Sequence, residues 1–318
     1  MKELKAFFTK SPTGGIFLAL ILVCVLFSSM TSRFLTPTNI SVILNQVSVN
    51  AILAFGVTFV IIAGGIDLSL GSLVAVCGVV VALLSQNNEY ALWLAIFGTL
   101  LAGIALGALN GIIVVLTKVP PFIVTLGTMT IGRGVALILS KGRPISDLNE
   151  SLNFLGNGDL LGVPIPIIFL VLSFATCHIL LTKTIFGRYV KAIGGNEMAS
   201  FVAGVRVNRI KLYVYMISGL FAALAGILLT ARINTGQPNA GLGFELDAIA
   251  AVIIGGTSTR GGKGTITGTL LGVLFIGVIN NGLDLINVSA YWQQVIMGGI
   301  IILAVVLDGL YQKLKMNI

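Results

Sequence analysis

Apolar residues run along this chain in long, nearly unbroken stretches separated by short polar joints. Ten such runs are present: Ile16–Ser32, Ile40–Ala63, Leu68–Ser85, Ala91–Leu116, Pro121–Ser140, Ile165–Thr182, Leu212–Arg232, Phe244–Ser258, Ile266–Ile286 and Ala290–Leu307. A bilayer-crossing helix needs about 20 mostly apolar residues. The pattern predicts an all-α, polytopic membrane protein of about ten transmembrane helices, folded as one transmembrane domain over residues 1–318. Leu68–Ser85 and Phe244–Ser258 are short, and each abuts a glycine pair.

Ten crossings put both ends on one side, and the joints test that count. One side collects fourteen basic residues (Lys2, Lys5, Lys10, Lys118, Lys183, Arg188, Lys191, Arg206, Arg209, Lys211, Arg260, Lys263, Lys313 and Lys315). The other collects four, Arg33, Lys141, Arg143 and Arg232. The positive-inside rule places the richer side, with both termini, in the cytoplasm. The start, MKELKAFFTKSPTGG, has the charge pattern of a signal peptide. Its apolar run leads into Arg33 and Phe34 rather than a small-residue cleavage site, so it reads as an uncleaved first span. Two longer outer segments, about 141–164 and 233–246, are rich in turn formers. With the outer acids Glu89, Asp147, Glu150, Asp159, Glu245, Asp247 and Asp284, they form either a docking face for a soluble partner or ordinary solvated loops.

Composition narrows the class. The chain is 56% hydrophobic and 9% charged, with mean hydropathy +1.05, far from the roughly one-quarter charged content of soluble domains. The net charge of +8 does not indicate nucleic acid, because the basic residues sit in short joints. Cys24, Cys77 and Cys177 lie inside apolar runs and read as small packed hydrophobes. No ladder of buried ionisable residues suggests an ion-coupled carrier: only Arg133 falls near mid-span, with Asp67, Arg232, Glu245, Asp247, Asp284 and Asp308 near ends. His178, the one histidine, reads as a packed or interfacial residue, and no metal site or cofactor is expected. No catalytic constellation is present. Gly255–Thr265, GGTSTRGGKGT, approaches a phosphate loop but has Thr257 and Gly264 where that motif needs Gly and Ser or Thr. Any energy source is another polypeptide.

The 39 glycines mark places where helices approach or break. Gly64, Gly65, Asp67 and Ser69 interrupt one pair of runs; Gly255, Gly256 and Thr257 interrupt another. Both are candidate hinges at the inner mouth, with Asp67 alternatively a plain cap for a helix starting at Leu68. VIIAGG at 60–65 resembles VIIGG at 252–256, and GALNG at 107–111 resembles GVINNG at 277–282, a hint of two related halves. Asn45, Gln46 and Asn50 lie on or near one helical stripe. They either line a polar path or bond helix to helix.

The inner loop 183–211 holds six basic residues and one acid, Glu197. Gly194, Gly195 and Asn196 read as a turn ending in an N-cap, and Glu197 suits the positive end of a helix dipole. Met198, Ala199, Phe201 and Val202 supply apolar positions, and Gly204 ends a helix of about two turns. Such a helix either lies in the lipid interface or is a knob for a protein groove; its small residues Ala199, Ser200 and Ala203 favour the knob.

Four stretches, GGIDLSLGS, GRYVKAIGGNEMASFVAGVRVNRIK, QPNAGLGFELDAIAAVIIGGTSTRGGKG and NNGLDLINVSAYWQQ, closely resemble the membrane permeases of bacterial ATP-binding-cassette sugar importers, the ribose permease branch. The likeness runs from about Ser32 to Asp308. It implies a multi-pass protein of the bacterial inner membrane, with two permease copies forming the pathway in the bilayer. It also implies a cytoplasmic ATPase pair, or one duplicated ATPase, and a periplasmic sugar-binding protein. Gly194–Gly204 would be the coupling helix that docks in the ATPase. Permeases for autoinducers, nucleosides or branched-chain amino acids are related alternatives, and an ion-coupled carrier is the rival from another class.

Overall fold

A computed structural model describes residues 12–86 and 91–316. The expectations for Lys2, Lys5, Lys10 and Glu89 lie outside the described residues. Thirteen helices are described: α1 (Pro12–Met30), α2 (Pro37–Ile62), α3 (Leu70–Ser85), α4 (Leu92–Thr117), α5 (Pro121–Leu139), α6 (Glu150–Asn157), α7 (Ile165–Lys183), α8 (Ile185–Gly195), α9 (Glu197–Val202), α10 (Val207–Ile233), α11 (Phe244–Ile254), α12 (Ile266–Leu285) and α13 (Ala290–Met316). The one described sheet is a two-stranded antiparallel hairpin, β1 (Asp159–Leu160) with β2 (Val163–Pro164).

Two helices form the hub. Every residue of α2 from Ala51 to Ile62 is buried, as are most of those from Ser218 to Ala231 in α10. A helix apolar all round belongs in the middle of a bundle. α10 packs against α4, α2 and α3. Its crossing with α4 is a small-residue contact: a Cβ on Gly103 would meet Ala223 and the Gly219 carbonyl, and one on Gly107 would strike the Tyr215 carbonyl. In lipid, where no water drives apolar surfaces together, such close backbone approach supplies the packing energy. α12 lies against α1, α2 and α11, with the Phe27 ring filling the space a side chain at Gly282 would need.

Six described helices are long and apolar enough to cross a membrane: α2, α4, α5, α7, α10 and α12. Gly14–Met30, Leu70–Ser85 and Ala290–Leu303 are shorter apolar helices. The expected span Phe244–Ser258 is shorter than its apolar run. α11 stops at Ile254 after 11 residues, about 16 Å of helix against a hydrocarbon core of about 30 Å. A glycine-closed cap ends it, so it is a half-helix feeding a loop.

The segments 141–164 and 233–246 are folded onto the bundle. Ile145 and Gly236 exchange two backbone hydrogen bonds at 2.9 Å, tying loop 141–149 to loop 234–243. The Arg133 guanidinium, expected near mid-span, donates to the carbonyls of Pro238 (3.1 Å) and Ala240 (2.7 Å). It pins the second of these loops rather than lying idle in the bundle.

Candidate functional site

The loop 183–211, expected on the inner side, contains α8, a single joint residue, and α9. Asn196 is that joint: its side-chain oxygen accepts from the Ala199 N–H at 2.9 Å. Gly194 and Gly195 are the last turn of α8, not the open turn expected from sequence. α9 is six residues long. It closes with Gly204 N–H on the Phe201 carbonyl and Val205 N–H on the Ser200 carbonyl, both 3.0 Å. Gly204 sits at φ +83°, a left-handed conformation that costs a side-chain-bearing residue energy. The Glu197 carboxylate accepts from Lys211 Nζ at 2.7 Å and tethers the helix to the base of α10. The helix is thus capped at both ends and strapped at its side. Its outer face is apolar: Met198, Phe201 and Val202 are 71%, 67% and 79% exposed.

The end of α8 that leads into this element meets the first candidate hinge and the loop that follows the second. A Cβ on Gly194 would overlap the Ile62 carbonyl oxygen and the Gly262 amide nitrogen. Gly262 donates its N–H to that same Ile62 carbonyl at 2.8 Å. A Cβ on Gly261 would lie 3.0 Å from the Gly64 Cα and the Gly194 carbonyl oxygen. Three segments far apart in sequence (62–65, 194–195 and 261–262) therefore meet, with Gly194, Gly261 and Gly262 at the points of closest backbone approach.

The two candidate hinges share one cap. In the first, Gly64 N–H bonds the Ile61 carbonyl and Gly65 N–H the Val60 carbonyl; in the second, Gly256 N–H bonds Ile253 and Thr257 N–H bonds Val252. Gly64 and Gly256 have φ of +84° and +87°. VIIAGG and VIIGG are thus equivalent in three dimensions. GALNG and GVINNG are not: the Asn110 amide donates to the Ser69 hydroxyl, whereas Asn281 trades reciprocal amide bonds with Asn39 at 2.9 and 3.0 Å.

After the first cap the chain buries Asp67. One carboxylate oxygen accepts from the Ser69 N–H (3.0 Å) and hydroxyl (2.6 Å); the other accepts from the Ser218 hydroxyl (2.7 Å). Asp67 is not the cap of a helix beginning at Leu68, since α3 starts at Leu70. It fastens the break to α10. Sequence reading missed Ser218, Asn110 and Tyr215, whose buried hydroxyl lies beside Gly65 and has no hydrogen-bond partner among the described residues.

Farther out, Gln46 and Asn50 of α2 line a cavity of about 50 Å³ with Asp247 of α11 and Asn280 of α12. Asn45 is not among the lining residues; its carbonyl accepts from Arg232 at 3.1 Å. Gln46 and Asn50 stand one turn apart on one face, and Asn45 lies about 100° around from Gln46. Sequence reading missed the partners Asp247 and Asn280. The cavity has room for water-sized occupants.

Residues 39–305 match the family described as the permease component of the branched-chain amino acid transport system. The chain belongs to that permease family. It is 46% identical over 296 residues to the ribose import permease protein of Bacillus subtilis (strain 168), covering 92% of each chain. Against the ribose import permease protein of Haemophilus influenzae (strain ATCC 51907 / DSM 11121 / KW20 / Rd) it is 45% identical, covering 92% of this chain and 91% of the other. The D-allose transport system permease protein of Escherichia coli (strain K12) is 42% identical over 301 residues, with 94% and 92% covered. No solved structure gives a significant match.

Proposed function

We propose that this chain is the pathway-forming subunit of an ATP-binding-cassette importer for a monosaccharide, ribose first, working as a pair of permease copies in the bacterial inner membrane. Ten crossings with both termini in the cytoplasm fit the distribution of basic residues. A periplasmic binding protein delivers the sugar and a cytoplasmic ATPase supplies the work. The family membership and the ribose permease relatives support the cargo class. The observation that carries the coupling is the exposed apolar face of α9 on a helix capped at both ends.

The contacts supply a mechanism. An ATPase groove closing over Met198, Phe201 and Val202 buries apolar surface and pulls α9 as a lever. The pull passes through Gly194 to the end of α2 and to loop 258–264. Both join helices at glycine caps, so the halves of the bundle reorient there and access alternates. The polar side chains of Gln46, Asn50, Asp247 and Asn280 offer transient hydrogen bonds to sugar hydroxyls once their cavity opens. Weak contacts suffice because selection resides in the binding protein.

The test is uptake of labelled ribose in cells lacking their own ribose permease but carrying the cognate ATPase and binding protein, with allose as competitor. Phe201→Asp should leave the permease in the membrane at normal abundance and reduce uptake at least about tenfold, the loss expected when a charge enters an apolar groove. Normal uptake by this variant contradicts the coupling assignment. Uptake of allose but not ribose by the unmodified chain contradicts the cargo.

A further inference from the structure

A concave, almost wholly apolar groove of about 340 Å³ opens on the side of the bundle. Its walls are Ile104 of α4, Leu180 of α7, Phe186 of α8, and Tyr213, Ile217 and Leu220 of α10. Tyr213 to Leu220 is seven residues, about 10 Å along the membrane normal. The groove begins two residues beyond Lys211, where α10 leaves the inner loop, and ends near mid-helix. It therefore covers about two-thirds of the depth of the cytoplasmic leaflet, whose hydrocarbon is about 15 Å thick.

Charge marks one end of it. Lys183 is three residues past Leu180 on α7, and Arg209 is four residues before Tyr213 on α10. At helical spacing each continues a groove-lining stripe by one turn toward the cytoplasm. Both are exposed, and neither appears in a salt bridge among the described residues. Tyr213 lies between the apolar wall and these cations, at the level where amphipathic rings sit. Beside it α8 buries Gly187, Val190 and Ile193 and exposes Arg188, as a basic helix at the membrane surface does.

We infer that the groove is a site for one anionic phospholipid of the cytoplasmic leaflet, with an acyl chain along Leu220, Ile217 and Leu180 and the phosphate between Lys183 and Arg209. A hollow in a lipid-facing wall must be filled by hydrocarbon, and two cations above it select the headgroup. The groove rests on α8 and α10, the helices that flank the α9 lever, so an occupant bridges the lever's two supports. The site rests on the proposed orientation, with the inner loop in the cytoplasm, which cysteine accessibility tests separately.

The experiment uses full-length permease in phosphatidylcholine vesicles, with Tyr213→Trp as the reporter and Trp93→Phe and Trp292→Phe removing the native, exposed indoles. A sister protein that keeps only Trp93 reports bulk lipid. Brominated phosphatidylglycerol, added at low mole fraction, should quench the groove reporter at concentrations about fivefold lower per basic residue than brominated phosphatidylcholine, while Trp93 discriminates little. Lys183→Gln with Arg209→Gln should abolish the preference, and Lys183→Gln alone should reduce it; both residues are exposed, so these variants retain the fold. Equal quenching by the two lipids, or a preference that survives both substitutions, overturns the inference. Absence of quenching by either lipid also overturns it, because protein then covers the groove.

Discussion

The two glycine breaks begin alike and end differently. Both close a helix with the same pair of backbone hydrogen bonds, and both place a glycine at φ near +85°. The residues beyond the caps separate them. The first break is fastened: Asp67 accepts three hydrogen bonds, from Ser69 and from Ser218 of α10. The second leads into loop 258–264, exposed at Thr259, Arg260 and Lys263, which touches the inner loop through Gly261 and Gly262. Its buried polar side chain, Thr257, has a hydroxyl with no hydrogen-bond partner among the described residues. A shared cap sets where a helix can bend. The side chains past that point decide whether the joint is pinned, as at Asp67, or left without such a fastening.

Substitutions separate these roles, and the largest effect belongs to the contact that joins them. Gly194→Ala drives a methyl group into the Ile62 carbonyl and the Gly262 amide, neither of which can turn aside. It should cost about 3 kcal/mol and abolish uptake. Gly195→Ala, with open space around the new carbon, should leave uptake within about twofold. Equal behaviour of the pair in a transport assay would remove the joint from the account.

Asp67→Ala comes next. It strips the acceptor from two buried serine hydroxyls and should lower the stability of the solubilised permease by about 2 kcal/mol, read as a fall in melting temperature. Smaller still are Gly64→Ala and Gly256→Ala, each forcing a side chain into the left-handed region at a cost of about 1 kcal/mol. Equal shifts in melting temperature are expected because the caps are equivalent; a large inequality would show that they are not. The smallest change is Thr257→Val, which removes an unpartnered hydroxyl and should raise stability by no more than about 1 kcal/mol.

Local chemistry was legible in the sequence where one segment contained all of it. Asn196 as N-cap, Gly204 as terminator and the apolar set Met198, Phe201 and Val202 need only neighbouring residues, and the structure has them so. The apolar runs gave the all-α membrane fold. Rotation about an axis was harder: Gln46 and Asn50 share the cavity, while Asn45 lies outside its lining. Gly194 and Gly195 passed for a turn because glycine pairs usually do, yet contact with Ile62 and Gly262 keeps them helical at the end of α8. Partners distant in sequence were invisible. Nothing near Asp67 announces Ser218, and nothing in GGKG announces a backbone contact with Gly194.

The central claim is that α9 is the permease's lever on the cytoplasmic face. The direct measurement places one cysteine at Met198 in a chain whose Cys24, Cys77 and Cys177 are replaced by alanine, and labels it with a membrane-impermeant maleimide. The label should react in inside-out vesicles, fail to react in intact spheroplasts, and be blocked when the ATPase is bound. Reaction in intact spheroplasts, or labelling unaffected by the ATPase, would contradict it.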